Sequence, residues 1–140
     1  MAKVLIGVDG SPHSRRAVEA AIRQQAATSA EIHLLNVQIP IESGHARMFV
    51  DHDELQDYYR EEGLAALAEA RALLDAAGIA YTHHIAVGHV AQTIAAYARE
   101  KGFDQIVLGS HGRGTLTHLL LGSVATDVLR LAEVPVTLVK

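Results

Sequence analysis

The stretch Lys3-Val4-Leu5-Ile6-Gly7-Val8-Asp9-Gly10-Ser11-Pro12 decides the fold. From Lys3 to Val8 it is almost continuously apolar, as expected for a strand buried on both faces of a parallel sheet. Polarity changes abruptly at Asp9. Ser11 then offers a helix N-cap, and Pro12 falls at the first helical position, where its missing N–H costs nothing. Ala17, Val18, Ala21, Ile22 and Gln25 follow at helical spacing and supply a buried face. Strand, tight turn and amphipathic helix together make the first half of a βαβ unit.

The same alternation continues outward. Glu31 to Val37 reads as a second strand, and Gln38 to His52, with Pro40 and Gly44 and little periodicity, as a long loop suited to covering a site. A helix is expected from about Asp53 to Ala77, with Leu67, Ala70, Leu74 and Ala77 on one stripe and Gly78 as its stop. Ile79 to Val87 reads as a third strand. Val90, Ile94, Tyr97 and Ala98 mark a third helix, closed by Arg99, Lys101 and Gly102. Gln105 to Leu108 is a fourth strand, Ser123 to Ala132 a fourth helix and Val134 to Val139 a last strand. Five strands and four helices in strict alternation predict an α/β fold, a doubly wound three-layer α/β/α sandwich around a parallel sheet.

Composition narrows the function. A chain of 140 residues, 49% hydrophobic, fits one domain with a sizeable core and no internal repeat. A formal charge of −4, spread along the chain, argues against nucleic-acid and membrane-surface binding. There is no cysteine, so disulfide and thiolate chemistry are excluded. The apolar run near Met1 is too short for a signal peptide, and the expectation is a soluble cytoplasmic protein.

In doubly wound sheets ligands bind beyond the carboxyl ends of the strands, where strand order reverses. Two strand ends are distinctive. The first is Val8-Asp9-Gly10-Ser11; the second is Gly109-Ser110-His111-Gly112-Arg113-Gly114, followed after Thr115 to Leu121 by Gly122-Ser123 at a helix start. Glycines there admit positive φ and close backbone approach. A helix N-terminus offers amides and a favourable dipole to an anion. On this chemistry alone two readings stand: a phosphate cradle, or glycines that merely shape a turn and a cap.

The spacing Gly109-x2-Gly112-x9-Gly122-Ser123 resembles the ATP-binding signature G-x2-G-x9-G-(S/T) of the universal stress proteins, and the likeness covers essentially the whole chain. The resemblance implies strand order 3-2-1-4-5, an architecture like that of the adenine nucleotide alpha hydrolases, and a site for ATP, with Mg2+ or Mn2+ held through its phosphates. It places Asp9 near the adenosine, with Val8, Gly10 and Ser11 beside it, and Val37 and Leu108 against adenine. Gly109 and Gly112 would cradle ribose and phosphates, with Arg113 and Gly114 in the same loop. Gly122, Ser123, Val124 and Ala125 would bind phosphate at the helix start. It also implies a homodimer, or a higher oligomer, paired through Val134 to Val139, which would cover an exposed sheet edge.

Other readings fit less well. There is no G-x4-G-K-[ST], no complete G-x-G-x-x-G after the first strand, and no receiver-domain aspartate after the third strand, which ends Ala86-Val87-Gly88. Nine histidines invite a metal reading, but none has ligand spacing such as H-E-x-x-H; His83 and His84, adjacent on a strand, must point to opposite faces. Asp9 has a plainer role as a partner of the Ser11 cap. Hydrolysis needs a positioned water and charge neutralisation at the γ-phosphate, and the sequence offers no committed general base. A nucleotide-binding regulatory module is therefore expected, with at most weak ATPase activity. The alternatives are an ATP-hydrolysing enzyme and a ligand-independent interaction protein.

Overall fold

The computed structural model describes residues 1–41, 51–112 and 120–140. Its elements are β1 (Lys3–Gly7), α1 (Pro12–Thr28), β2 (Glu31–Gln38), α2 (His52–Ala76), β3 (Tyr81–Val87), α3 (Val90–Glu100), β4 (Gln105–Gly109), α4 (Ser123–Leu131) and β5 (Val136–Val139). The strands form one parallel sheet of order β3-β2-β1-β4-β5, as the resemblance implied. The order reverses between β1 and β4, with Leu5 opposite Ile106 on one side and His33 on the other.

Central strands bury both faces. Val4 and Ile6 join Leu34, Val18, Leu67 and Leu74 in the core under α1 and α2. Leu5 faces the other way, with Leu35, Ile94, Ile106 and Val128 under α3 and α4. The continuous apolar run of the first strand is thus explained: alternate residues feed two different cores.

Local chemistry sets the element ends. The Ser11 hydroxyl accepts from Ser14 N–H at 3.2 Å, so the cap read from the sequence forms. The carboxylate of Asp51 does the same for Glu54 N–H at 2.8 Å and starts α2 at His52, slightly earlier than expected. At the other end Gly78 takes φ +69°, its N–H bonds to Asp75 and that of Ile79 to Leu74. This is a Schellman closure. It ends α2 at Ala76, leaves Ala77 exposed, and spends Ile79 on the cap, so β3 begins only at Tyr81. Likewise β5 begins at Val136 rather than Val134, since Pro135 brings no N–H to the ladder. On α3 the buried stripe is Ala91, Ile94, Ala95 and Ala98; Val90 and Tyr97 are half-buried and have other roles.

Candidate functional site

A cleft of about 690 Å³ opens at the carboxyl ends of β1, β2 and β4. Its walls are built as the parallel sheet dictates. Val8 and Asp9 follow β1, Val37 closes β2, Leu108 and Gly109 end β4, and Gly112 lies just beyond. Ser123, Val124 and Ala125, the first turn of α4, complete the opposite rim. Nine of the residues expected at the site therefore meet around one cavity.

The remaining expected residues stand elsewhere. Gly10, at φ +82°, makes the turn out of β1, where a side chain would be strained. Ser11 is buried as the α1 cap, and its N–H donates to Asp9 Oδ1 at 2.9 Å. The plainer role of Asp9 is thus realised together with a place on the cleft wall. Gly122 is the N-cap of α4, in an extended conformation (φ −72°, ψ 165°) that any residue adopts. Its N–H is engaged by the Ser110 carbonyl at 2.7 Å. The amides of the next residues, Ser123 to Ala125, belong to the first turn of α4, the part of a helix that leaves N–H groups without an intrahelical partner. Arg113, Gly114 and His118, and the loop positions 42–50, lie outside the described residues.

Gly109 has a reason the sequence did not show. A Cβ built there would lie 2.6 Å from the His13 carbonyl carbon and 2.8 Å from its oxygen. The first turn of α1 rests directly on the end of β4, and only glycine fits between them.

Several wall residues carried no motif. Tyr58, Glu62, Ala65 and Ala66 of α2 face the cleft on one helical stripe, beside the core stripe of Tyr59, Gly63 and Leu67. α2 is more than a packing element. Tyr59 is buried, and its hydroxyl accepts the Ile41 N–H at 2.8 Å, tying the end of the β2 exit to α2. From β2 come Asn36 and Gln38; from α3 come Val90 and Ile94. His111 also borders the cleft, its Nδ1 2.9 Å from the buried Ser110 hydroxyl and its ring 5.0 Å from that of His13. Burial pushes the His13 imidazole below its ordinary value; Arg16 and His111 act in the same direction, and Asp9 opposes them.

A second polar cluster lies outside the cleft, between the sheet and α3. His83 is exposed and His84 half-buried on opposite faces of β3, as the strand pleat requires. Glu31, His33, His84 and Tyr97 form a hydrogen-bonded chain, with N···O and N···N distances of 2.6, 2.9 and 2.8 Å in that order.

The doubly wound parallel sheet with a cleft at its switch point places the chain in the class of α/β domains that hold ligands, where they bind one, beyond the carboxyl ends of the strands. The universal stress protein family matches residues 1–140, and the chain belongs to it. It is 32% identical to the universal stress protein YxiE of Bacillus subtilis over 145 aligned positions, covering 99% of this chain and 98% of that one. Among solved structures, it is similar to the MJ0577 protein of Methanocaldococcus jannaschii, with a TM-score of 0.84 and 29% identity over 99% of this chain and 95% of that one. It is also similar to a universal stress protein in complex with cAMP, with a TM-score of 0.73 and 30% identity over 99% and 97% of the two chains. No described helix is long and apolar enough to cross a membrane.

Proposed function

We propose that the cleft binds ATP and that its occupancy regulates the behaviour of the protein toward its partners. One observation carries this reading: an apolar wall and a helix N-terminus border the same cavity. Val37, Leu108 and Ile94 offer a surface for a base, and the first turn of α4 offers amides and dipole for phosphate. The cAMP complex of a relative supports an adenosine phosphate as the ligand class. A hydrogen bond to a charged group contributes about 1.5–3 kcal/mol. Three or four such bonds would support roughly micromolar affinity, about −8 kcal/mol.

Any Mg2+ or Mn2+ accompanying ATP would be held mainly through its phosphate oxygens, since the described cleft wall supplies only the carboxylates of Asp9 and Glu62. Asp9 Oδ1 is already engaged by the Ser11 amide. That favours binding over efficient turnover, for which a general base and a fixed metal would be required.

The test is titration of the purified protein with ATP, ADP, AMP and cAMP in the presence of magnesium, alongside Gly122→Val. The backbone at residue 122 suits valine, so the variant should fold normally while its side chain crowds the α4 amides. ATP affinity is expected to fall about tenfold or more. Unchanged affinity in a folded variant would place the phosphates elsewhere. A protein that binds no adenine nucleotide would instead be a ligand-independent interaction module.

Self-association through β5 belongs to the same reading. The Ile106 N–H bonds to Pro135 O and the Ser110 N–H to Val139 O, so odd-numbered residues of this strand face β4. The main-chain groups of Val136 and Leu138 therefore point to the open edge, where a second copy can pair. Val136→Pro removes one outward N–H and keeps the β4 ladder. Sedimentation should find a dimer for the parent and a monomer for the variant; a variant that remains dimeric would rule out this edge.

A further inference from the structure

The sheet beneath the cleft contains one expensive residue. Asn36 is 4% exposed, on a strand whose neighbours Leu34 and Leu35 are buried core. An amide at such a position must find partners for all its polar atoms, whereas leucine would need none. Its partners are specific. Nδ2 donates to the Val8 carbonyl at 2.8 Å, and Oδ1 accepts from Gln38 Nε2 at 2.7 Å. The direction of this relay is fixed chemically. The Val8 carbonyl can only accept, so Asn36 must turn its NH2 toward it and its oxygen toward Gln38.

Val8 is held from its other side too, its N–H donating to Leu35 O at 2.9 Å. It is therefore gripped at both polar groups, one by the β2 backbone and one by the Asn36 side chain. Immediately beyond it the chain leaves the sheet through Asp9 and the φ +82° turn at Gly10. The direction of the Val8–Asp9 peptide sets where the Asp9 carboxylate enters the cleft.

From this we infer that Asn36 is a positioning residue for Asp9: it clamps the Val8 carbonyl so that the carboxylate meets the ribose of a bound nucleotide, and Gln38 orients Asn36. The inference rests on the reading of the cleft as an adenine nucleotide site. It also accounts for a buried amide that packing alone would not retain.

A double-mutant cycle tests it. ATP is titrated against the parent, Asp9→Ala, Asn36→Ala and the double variant, with thermal melts to establish folding. If Asn36 acts through Asp9, Asn36→Ala should weaken ATP about tenfold in the parent and less than about twofold once Asp9 is gone. Equal losses in both backgrounds would show a merely structural role and overturn the inference, as would parent-like affinity in Asn36→Ala. Should Asn36→Ala fail to fold, Gln38→Ala serves the same cycle, with about a threefold loss expected only where Asp9 is present. If Asp9→Ala leaves ATP affinity intact while the parent binds, Asp9 does not touch the ligand and the inference falls, with nucleotide binding itself standing. A parent that binds no adenine nucleotide removes the functional reading beneath both.

Discussion

Gly109→Ala is expected to destabilise the protein by about 2–3 kcal/mol and to impair the cleft at the same time. The new Cβ would lie 2.6 Å from the His13 carbonyl carbon and 2.8 Å from both its oxygen and its Cβ. Two of those three atoms are backbone, at the first turn of a 17-residue helix, and cannot swing aside as a side-chain end does. Either the start of α1 lifts off the sheet or the end of β4 moves away from α1. Both movements disturb residues that border the cleft, because Ser14 lies in the first turn of α1, Asp9 is bonded to its cap residue Ser11, and Leu108 stands at the end of β4. For a chain of this size each kcal/mol moves the melting midpoint by about 2–4 °C, so a fall of roughly 4–12 °C should be seen. Gly7→Ala makes a useful contrast. Its Cβ would come 2.5 Å from Leu108 Cδ2 and 3.3 Å from Ile94 Cδ1, both side-chain ends rather than backbone. Its cost should be smaller. A Gly109→Ala protein melting within about a degree of the parent would show that the helix–strand contact is softer than argued.

That glycine shows where sequence reading stops. Its place in a spaced motif is legible in the sequence, and the family resemblance is what attaches a phosphate role to that motif. The helix pressed against the glycine is not legible there, because His13 lies 96 positions earlier and only the fold brings the two together. The alternation of strands and helices was legible because periodicity is local: a two-faced apolar strand and a one-faced helix differ within a few residues. Strand order came from resemblance, and element ends were misjudged by one or two residues where a cap competed with a strand, as at Ile79. The cleft wall from α2 was missed for a similar reason. Tyr58, Glu62 and Ala65 form an ordinary amphipathic stripe, and nothing local distinguishes a stripe facing a cavity from one facing solvent. Asn36 did leave a signal, a lone amide inside the apolar run of β2, but its partner Val8 is 28 positions away.

Acidification should destabilise the protein in a range set by His84. Ionised Glu31 can only accept, so His33 donates to it through Nε2 and is left with Nδ1 as an acceptor. His84 then donates from Nε2 to His33, and its own Nδ1 accepts the Tyr97 hydroxyl. Burial pushes the Tyr97 phenol up, which keeps that proton in place. With both rings neutral every link is satisfied. One added proton is tolerated, since protonated His33 can reverse its bond to His84, which then donates to Tyr97. A second cannot be: two N–H groups would face each other across 2.9 Å. Burial, and then the charges of His33, His83, Lys101 and Lys3, hold the His84 imidazole below its ordinary value. The unfolded chain therefore binds more protons than the folded one as pH falls below about 6.5, so stability is complete above that pH and declines on acidification through the lower folded value. The His33 bond pulls the Glu31 carboxyl down as well, which extends the loss to still lower pH with the same sign. A half-buried pair losing one bond should cost on the order of 1–2 kcal/mol, below the full penalty for a buried unsatisfied group. Urea midpoints recorded from pH 8 to 4.5 should fall on the acid side, and His84→Leu should flatten the part of that slope lying just below neutrality. The same acid slope in parent and variant would assign the loss to other groups, His13 first among them, since its imidazole is also held low by burial.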